Sequence, residues 1–352
     1  MRSVLVIGGT GLIGRAVARR MLSAGWRVTV TGRDPGRMPA DLAAAGVRLV
    51  LLDRDDAAGL AAAVGDGCDL LVDCACYTAA QARLLLPFVG NVRSTVMLSS
   101  KAVYVDADGN HVNSASAPRF TAPVTEEQPT MRPGDMPYDS PQGYGANKVA
   151  AEQVLLDSGL PVTVLRASKV HGDGAAPPRE WYFVKRALDR RPTILLAGRG
   201  RGVDHPSAAV NIAALAEVVA DRPGRRILNA ADPDAPDGLA ISRVIAALTG
   251  HAWREALLDD DAPPGLGRHP WHRDPPIVLD TGAAMALGYR PVGDYAATVT
   301  DEIGWLLDQV ARYPTWTPPG VGPETTATWF DYDAEDAWLA ASSTTGSVQP
   351  RA

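Results

Sequence analysis

Tyr144 and Lys148 are the two residues whose types and spacing most directly predict chemistry. They are four positions apart in the segment Tyr-Gly-Ala-Asn-Lys, where a helical pattern from about 145 to 156 begins. Residues four apart lie on one face of a helix, and an ammonium group beside a phenol favours the phenolate form. The pair is therefore suited to donating and accepting a proton near neutral pH.

Ser100 is a third candidate, because it directly follows a predicted strand at 95–99. In open α/β sheets, groups at the carboxyl ends of strands face the bound ligand. A hydroxyl group there can hydrogen-bond a carbonyl or alcohol oxygen and orient it toward Tyr144. A Ser-Ser pair at a strand end is also typical of a cap or turn, so both interpretations stay open.

The start of the chain predicts a dinucleotide site. The apolar run 3–7 is followed by Gly8, Gly11 and Gly14 and by a predicted helix at 12–24. In this arrangement Gly8 permits a tight turn, Gly11 lets the backbone approach a pyrophosphate, and Gly14 lets the helix pack on the sheet. The helix N-terminus adds unpaired N–H groups and a partial positive charge.

The elements that must position these residues alternate through the first half of the chain. Apolar strands are predicted at 3–7, 27–31, 47–52, 70–73, 95–99 and 162–166, with helices at 12–24, 57–64, 79–86 and 145–156. Apolar strands joined by helices predict a parallel sheet covered on both faces. The fold class is therefore α/β, with a doubly wound, Rossmann-type sheet.

Two regions depart from this alternation. Residues 104–138 are rich in Asp, Asn, Ser, Pro and Thr, and are predicted to be either a lid or active-site loop or a disordered surface insertion. After residue 166 the pattern is irregular, with predicted helices at 181–188, 208–220, 239–248 and 298–310 and strands at 193–196 and 226–229. The predicted domains are a cofactor-binding domain at 1–166 joined by 207–229, a smaller, partly interleaved substrate-binding domain at 167–340, and a disordered tail at 341–352.

Composition narrows the partners. The 352 residues carry a formal net charge of −6, which gives no basic stripe for nucleic acid and no polybasic segment for membranes. A small-molecule substrate is therefore expected, with neither nucleic acid nor membrane as a partner. No signal peptide or membrane-spanning run is visible, so a cytoplasmic location is expected. Oligomeric state stays open, with a homodimer as one alternative.

No metal site is expected. Cys68, Cys74 and Cys76 cannot form a disulfide framework, and a Cys-x-Cys pair on a strand is only a weak metal or redox signal. His269 and His272 resemble half of a metal cluster, but Pro270 breaks the helix that would align them, and further ligands are missing.

Taken together, the glycine motif, Ser-Ser-x-x-Val-Tyr at 99–104 and Tyr-x-x-x-Lys at 144–148 resemble the extended short-chain dehydrogenase/reductase superfamily, in its NAD(P)-dependent epimerase/dehydratase branch. The resemblance covers most of residues 1–310. It implies an enzyme whose catalytic residues are Ser100, Tyr144 and Lys148.

The resemblance also implies binding residues. Those for the cofactor are Gly8, Thr10, Gly11, Leu12, Ile13, Gly14, Arg33, Asp53, Arg54, Ala75, Lys148 and Ala167. Those for the substrate are Tyr77, Lys101, Lys169, His171 and His205.

Departures from the family pattern narrow the activity. The second strand ends in Gly32 and Arg33, with Arg37 nearby, where NAD-specific sites carry a carboxylate, so NADP(H) is favoured over NAD. Family dehydratases carry Asp-Glu directly after the catalytic hydroxyl residue, whereas Lys101 and Ala102 stand here. Nucleotide-sugar epimerases carry an asparagine and an arginine where this chain has Lys169 and Asp204, so a nucleotide sugar is not favoured.

The main functional hypothesis is therefore an NADP(H)-dependent reductase or dehydrogenase of a small carbonyl or alcohol substrate, with Tyr144 as proton donor or acceptor. Two alternatives remain. One is an epimerase of a sugar-like substrate that keeps its nicotinamide bound, and the other is a non-catalytic protein that senses dinucleotides. The intact set of Ser100, Tyr144 and Lys148 argues against the sensor, since binding alone needs no proton-transfer group.

Overall fold

The computed structural model describes residues 1–344. Its strands are β1 (Ser3–Ile7), β2 (Arg27–Gly32), β3 (Arg48–Leu51), β4 (Leu70–Asp73), β5 (Ser94–Ser100), β6 (Val162–Ala167), β7 (Lys169–His171), β8 (Thr193–Leu196), β9 (Pro206–Ala208), β10 (Arg226–Ala230) and β11 (Arg254–Leu257). Its α-helices are α1 (Leu12–Ser23), α2 (Ala40–Ala44), α3 (Ala57–Val64), α4 (Ala79–Val89), α5 (Pro141–Asp157), α6 (Trp181–Leu188), α7 (Ala209–Asp221), α8 (Gly238–Thr249), α9 (Gly282–Ala286), α10 (Tyr295–Thr298), α11 (Thr300–Arg312), α12 (Pro323–Trp329) and α13 (Tyr332–Thr344).

The chain forms two compact units. The first contains Met1–Val170, Pro206–Pro233 and Val278–Asp294, and the second contains His171–His205, Asp234–Ile277 and Tyr295–Ala352. The return of 278–294 to the first unit is not among the sequence predictions. Residues 341–344, placed in the tail by sequence, are the last turn of α13. The remainder of the predicted tail, 345–352, lies outside the described residues.

The first unit is built on a seven-stranded sheet in the order β10-β6-β5-β4-β1-β2-β3. Every neighbouring pair is parallel. The chain starts at the inner strand β1, moves outward through β2 to β3, and then continues on the other side of β1 from β4 to β10. The carboxyl ends of β1 and β4, where the direction reverses, therefore flank a crevice suited to a ligand. The predicted doubly wound Rossmann-type sheet is confirmed.

Both faces of the sheet are buried, as the apolar strands predict. Along β1, Val4 and Val6 pack on one face with α1 and α7, whereas Leu5 and Ile7 pack on the other with α3, α4 and α5. Successive side chains of a strand point to opposite faces, so a strand covered on both sides must be apolar throughout. β1 is therefore fixed in the middle of the core, directly before the glycine turn.

Helix α5, which carries Tyr144 and Lys148, begins four residues earlier than the predicted start at 145. Ser140 is its N-cap, and the hydroxyl oxygen accepts a hydrogen bond from Gly143 N over 3.0 Å. Pro141 occupies the first helical turn, where its missing N–H costs nothing. The Ser-Pro start places Tyr144 in the first turn of the helix.

The segment 104–138 has little regular structure but is held in place. Asp106 accepts hydrogen bonds from the backbone N–H groups of Asp108, Asn110 and Arg119. Backbone pairing joins Tyr104 to Thr130. The segment is therefore an ordered part of the first unit, and its last residue, Tyr138, reaches the candidate site.

The second unit contains β8 and β11, which pair in parallel, and helices α6, α8 and α11. Its core is rich in aromatic side chains, including Trp181, Tyr182, Phe183, Trp271 and Tyr295. Among the described residues, none of the helices combines the length and hydropathy that a membrane span needs.

Candidate active site

The glycine turn after β1 has the backbone geometry that only glycine adopts easily. Gly8 has a φ of +74°, a conformation that a side chain strains. A Cβ at Gly14 would lie 2.4 Å from the Gly8 carbonyl oxygen, so α1 and the turn pack too closely for any side chain there. Thr31, at the end of β2, fixes the turn by accepting a hydrogen bond from Gly8 N over 3.2 Å.

An open cleft of about 580 Å³ lies over this turn in the first unit. Ten of the predicted cofactor residues line it, namely Gly8, Thr10, Gly11, Leu12, Ile13, Gly14, Arg33, Asp53, Arg54 and Ala75. Lys148 and Ala167 do not. Helix α1 points its N-terminus at the cleft, and Gly11 provides no side-chain cap for it. The exposed N–H groups and helix dipole make this end suited to a phosphate.

Several lining residues were not predicted from sequence. They include Thr31, Asp34, Cys74, Gln81, Tyr138 and Val170. Asp34 is notable because it places a carboxylate beside Arg33 at the end of β2, and this carboxylate caps a short 3₁₀ turn by accepting from Gly36 N over 2.8 Å. The Asx-turn signal of Asp-Pro-Gly could have located it.

The end of β2 presents two cations to the cleft. Arg33 and Arg37 both line it, and both are exposed. A Cβ at Gly32 would lie 2.8 Å from the Thr10 side chain, so glycine keeps β2 and the glycine turn in close contact. Arg33, which follows Gly32, therefore lies at the end of β2 where the adenosine ribose lies in dinucleotide-binding folds.

A buried ion pair forms part of the cleft wall. Arg54 Nη2 lies 2.7 Å from Asp73 Oδ2, and the same nitrogen donates to the Gln81 carbonyl oxygen over 2.8 Å. Asp73 Oδ1 accepts from Ala75 N over 2.9 Å. The pair thus fixes the backbone after β4, including Ala75, which is one of the predicted cofactor contacts.

Lys148 is buried, with 3% of its surface exposed. Its ammonium group donates to the carbonyl oxygens of Cys76 (2.8 Å) and Leu98 (2.9 Å) and lies 4.3 Å from the ring centroid of Tyr77. Two backbone carbonyls and the Tyr77 ring therefore hold the ammonium group near the carboxyl ends of β4 and β5.

Three tyrosines lie together beside this lysine. The Tyr77 ring stacks on Tyr138 at a centroid distance of 5.1 Å and lies 6.5 Å from the Tyr144 ring. Tyr77 and Tyr138 line the cleft, whereas Tyr144 does not. Burial raises the pKa of Tyr77 to about 12, so this phenol stays neutral and does not compete with Tyr144 for the role of base.

Ser100 is the last residue of β5, one position beyond the predicted strand end at 99. Its hydroxyl oxygen accepts from Ala102 N over 3.2 Å, capping the 3₁₀ turn Lys101–Val103. Ser100 therefore forms a cap, one of the two roles that the sequence leaves open for it. The hydroxyl hydrogen is still available to a ligand, because the cap uses only an oxygen lone pair.

A buried polar network fixes β5 against α5. Glu152, one turn after Lys148 on α5, accepts hydrogen bonds from the Ser99 hydroxyl and from Arg166, the latter over 2.6 and 3.2 Å. The Arg166 guanidinium also lies 4.9 Å from the ring centroid of Tyr104. Since Ser99 precedes Ser100, this network fixes the end of β5, which carries Ser100, against α5, which carries Tyr144 and Lys148.

The predicted substrate residues are not brought together at the cleft. Tyr77 lines it, whereas Lys101, Lys169, His171 and His205 do not. The side chains of Lys101, His171 and His205 are buried, with 7%, 0% and 4% exposure. His171 packs in the second unit, with its ring 5.1 Å from Tyr295 and 6.1 Å from Trp271. Their role in substrate binding stays a prediction.

Comparison with protein-family models matches residues 4–203 to the NAD dependent epimerase/dehydratase family. The chain belongs to this family. It is accordingly an extended short-chain dehydrogenase/reductase-type enzyme, as predicted from the three motifs, and membership of an enzyme family favours catalysis over dinucleotide sensing.

Solved structures of this family's fold align along almost their whole length. A dTDP-glucose 4,6-dehydratase from Bacillus anthracis str. Ames in complex with NAD is 16% identical, with a TM-score of 0.67 and coverage of 89% of this chain and 99% of that one. A UDP-glucose-4-epimerase from Stenotrophomonas maltophila with bound NAD and formylated UDP-arabinopyranose is 19% identical, with a TM-score of 0.67 and coverage of 89% and 100%. A putative epimerase from Burkholderia cenocepacia J2315 is 21% identical, with a TM-score of 0.65 and coverage of 88% and 98%. No curated protein matches the sequence.

These structural similarities show that the chain has the same fold as those structures. The family's description, which names epimerases and dehydratases, agrees with the epimerase alternative better than with the small-carbonyl reductase that is the main hypothesis from sequence. The first two of these structures hold NAD. The family's description also names NAD, so a nicotinamide dinucleotide is supported in general, whereas a preference for NADP(H) is not.

Proposed function

We propose that the cleft binds a nicotinamide adenine dinucleotide, with its pyrophosphate on the glycine turn and its adenosine ribose at the end of β2. The left-handed backbone of Gly8, the uncapped N-terminus of α1 and the close contact of Gly14 fit this group. Arg33 and Arg37 favour a 2′-phosphate, and hence NADP(H). Asp34 at the same end provides a carboxylate that can accept a hydrogen bond from the ribose 2′-hydroxyl of NAD, so NAD remains the alternative cofactor.

Tyr144 and Lys148 carry the proposed chemistry. When bound, the nicotinamide ring accepts or delivers hydride at a carbon that bears the substrate oxygen. Tyr144 takes the proton from that oxygen on oxidation and returns it on reduction. The Lys148 charge, fixed by two backbone carbonyls, favours the phenolate, and Ser100 orients the substrate oxygen with its hydroxyl.

We infer that the reaction is epimerisation of a sugar-like substrate by oxidation and re-reduction of one carbon. Family membership is the observation that carries this inference. Of the two reactions in the family's description, dehydration needs an acid and a base beside the catalytic hydroxyl, and Lys101 and Ala102 stand there instead. Epimerisation needs only the reversible redox step, for which Ser100, Tyr144 and Lys148 suffice.

A net reductase or dehydrogenase of a small carbonyl or alcohol is the second candidate. Lys169 and Asp204 stand where nucleotide-sugar epimerases carry residues for a diphosphate, which favours a substrate without that group. Arg33 and Arg37 also favour the phosphorylated cofactor. The cytoplasmic location and the homodimer alternative stay predictions.

Cofactor retention separates the two candidates. The purified protein is denatured, and the released nucleotides are identified by mass spectrometry. An epimerase is expected to retain nearly one dinucleotide per chain and to interconvert its substrate without added reductant. A protein that elutes empty and consumes added NADPH or NADH stoichiometrically with product would establish the reductase instead.

A further inference from the structure

Three ionisable side chains meet inside the second unit, and none of them lines the cofactor cleft. They are His171 of β7, Glu180 directly before α6, and Glu302 of α11. All three have 0% exposure, and their ligand atoms all lie within 4.8 Å of one another. Ionisable groups are rarely buried so completely unless they are paired or bind a cation.

Each carboxylate uses one oxygen as an ordinary hydrogen-bond acceptor. Glu302 Oε2 accepts from Gly172 N over 2.6 Å, and Glu180 Oε1 accepts from the Tyr295 hydroxyl over 3.1 Å. The other two oxygens, Glu180 Oε2 and Glu302 Oε1, are buried and receive no hydrogen bond from an N–H or hydroxyl group of the described residues. Donors that stabilise the charged form thus hold both groups, while one oxygen of each is left without a donor.

The charge of this cluster needs compensation. Arg179 acts on Glu302 as a favourable positive charge, but its effect on the pKa of Glu302 is smaller than that of burial and of the Glu180 charge. The remaining negative charge can be relieved by a proton shared between the two glutamates or by a cation bound to them. Burial, and next the Glu180 charge, raise the pKa of Glu302, so the shared proton is a genuine competitor.

We propose that His171, Glu180 and Glu302 bind one divalent transition-metal ion. One imidazole nitrogen with two carboxylate oxygens is a donor set that suits Zn²⁺ or Mn²⁺. His171 Nδ1 lies 3.9 Å from Glu302 Oε2, which is too long for a hydrogen bond. An ion bonded to both atoms at about 2.0–2.2 Å spans a separation of that size.

The hydrogen bonds that Gly172 N and the Tyr295 hydroxyl donate to the two glutamates also support the proposal, because carboxylate ligands of metals are themselves oriented by such donors. The site is enclosed and joins β7, the start of α6 and α11, so the ion acts structurally on the second unit. This assignment departs from the sequence expectation of no metal. It does not depend on the proposed redox function.

The test measures metal content and stability of the untagged full-length protein, purified without chelator. Elemental analysis is expected to find about one equivalent of zinc or manganese per chain. Dialysis against a chelator is expected to lower the melting temperature by several degrees, and Zn²⁺ or Mn²⁺ to restore it. Glu180→Gln and Glu302→Gln are expected to lose both the metal and its effect. Glu324→Gln, at an exposed carboxylate on α12 of the same unit, is expected to keep both.

Absence of bound metal, together with a melting temperature that neither chelator nor added Zn²⁺ or Mn²⁺ changes, would overturn the proposal. So would a metal-free Glu302→Gln protein that is as stable as the parent, since a shared proton tolerates glutamine, which donates one hydrogen bond in its place. If the glutamine variants do not fold, the measurements on the parent protein alone decide.

Discussion

Arg54 and Asp73 form a buried ion pair in the wall of the cofactor cleft, with Nη2 and Oδ2 2.7 Å apart and 9% and 0% of their side chains exposed. The pair joins the segment after β3, which contains Arg54, to the end of β4. Asp73 also accepts a hydrogen bond from Ala75 N, so it fixes the backbone that follows β4. Because the Asp73 side chain is fully buried, its carboxylate oxygens depend on protein groups for their hydrogen bonds.

Replacing Arg54 should therefore destabilise the protein more than a surface substitution does. Arg54→Met is expected to lower the free energy of unfolding by about 3–5 kcal/mol, because it leaves a buried carboxylate unpaired. Urea unfolding followed by circular dichroism measures the change. The double variant Arg54→Met/Asp73→Asn removes the unpaired charge and should recover part of the loss. A single variant as stable as the parent would contradict this account of the pair.

Arg33 is expected to set the preference for a phosphorylated cofactor. A charge-assisted contact contributes roughly 1.5–3 kcal/mol, so Arg33→Ala should weaken NADPH binding by at least tenfold and leave NADH binding nearly unchanged. Fluorescence titration with both cofactors checks this. Arg83→Ala, at an exposed residue of α4 away from the cleft, is the matched control. Equal affinity of the parent protein for NADPH and NADH would refute the preference and favour a role for Asp34.

Tyr144→Phe removes only a hydroxyl group from a half-buried ring. Folding and cofactor binding should stay close to those of the parent, while turnover falls by about 10²–10⁴-fold, the usual contribution of a general acid–base group. Steady-state kinetics with either substrate class measures it, and Tyr138→Phe is the control. A parental rate in Tyr144→Phe would falsify the proposed proton transfer.

Lys148→Met should affect more than the rate. The variant loses the charge that favours the phenolate, and it also leaves the carbonyl oxygens of Cys76 and Leu98 without their donor. Buried polar groups that lose a partner cost about 1–3 kcal/mol each. Thermal unfolding and cofactor titration should therefore both change, in contrast to Tyr144→Phe. A variant that loses only turnover would show that the two backbone contacts contribute little.

The cysteines near β4 should react slowly with alkylating reagents in the folded protein. Burial raises the pKa of Cys68 to about 11 and that of Cys76 to about 12, and it raises the pKa of Cys74 as well. Since the thiolate is the nucleophile, labelling at pH 7.5 should be far slower than in urea and should accelerate with rising pH. Mass spectrometry after iodoacetamide treatment measures it. Rapid labelling at pH 7.5 in the native state would show that these thiols are not protected.

Local patterns account for the parts of the site that sequence predicts well. The glycine turn and the Tyr-x-x-x-Lys pair each lie within a few residues, so helix periodicity and backbone sterics suffice to define them. The predicted start of α5 is wrong by four residues, because the apolar pattern begins later than the Ser140 cap, although Ser-Pro is itself a local signal for a helix start.

Contacts between distant segments could not be predicted in this way. Tyr138 stacks on Tyr77 across 61 positions, and Asn229 Oδ1 accepts the Tyr104 hydroxyl across 125. Neither contact can be predicted from the periodicity of apolar residues in the sequence, because each depends on how distant segments pack together in the fold. The same holds for His171, Glu180 and Glu302, which come together only once the second unit has folded.

The carbonyl contacts of Lys148 also bear on the entropy of binding. A lysine at a binding site commonly moves among many rotamers until a ligand orders it, and immobilising such a side chain costs about 0.5–1.5 kcal/mol. Here the Cys76 and Leu98 carbonyls hold the ammonium group within the protein itself. That ordering is completed during folding, so none of the interaction energy of a bound ligand is spent on immobilising this side chain.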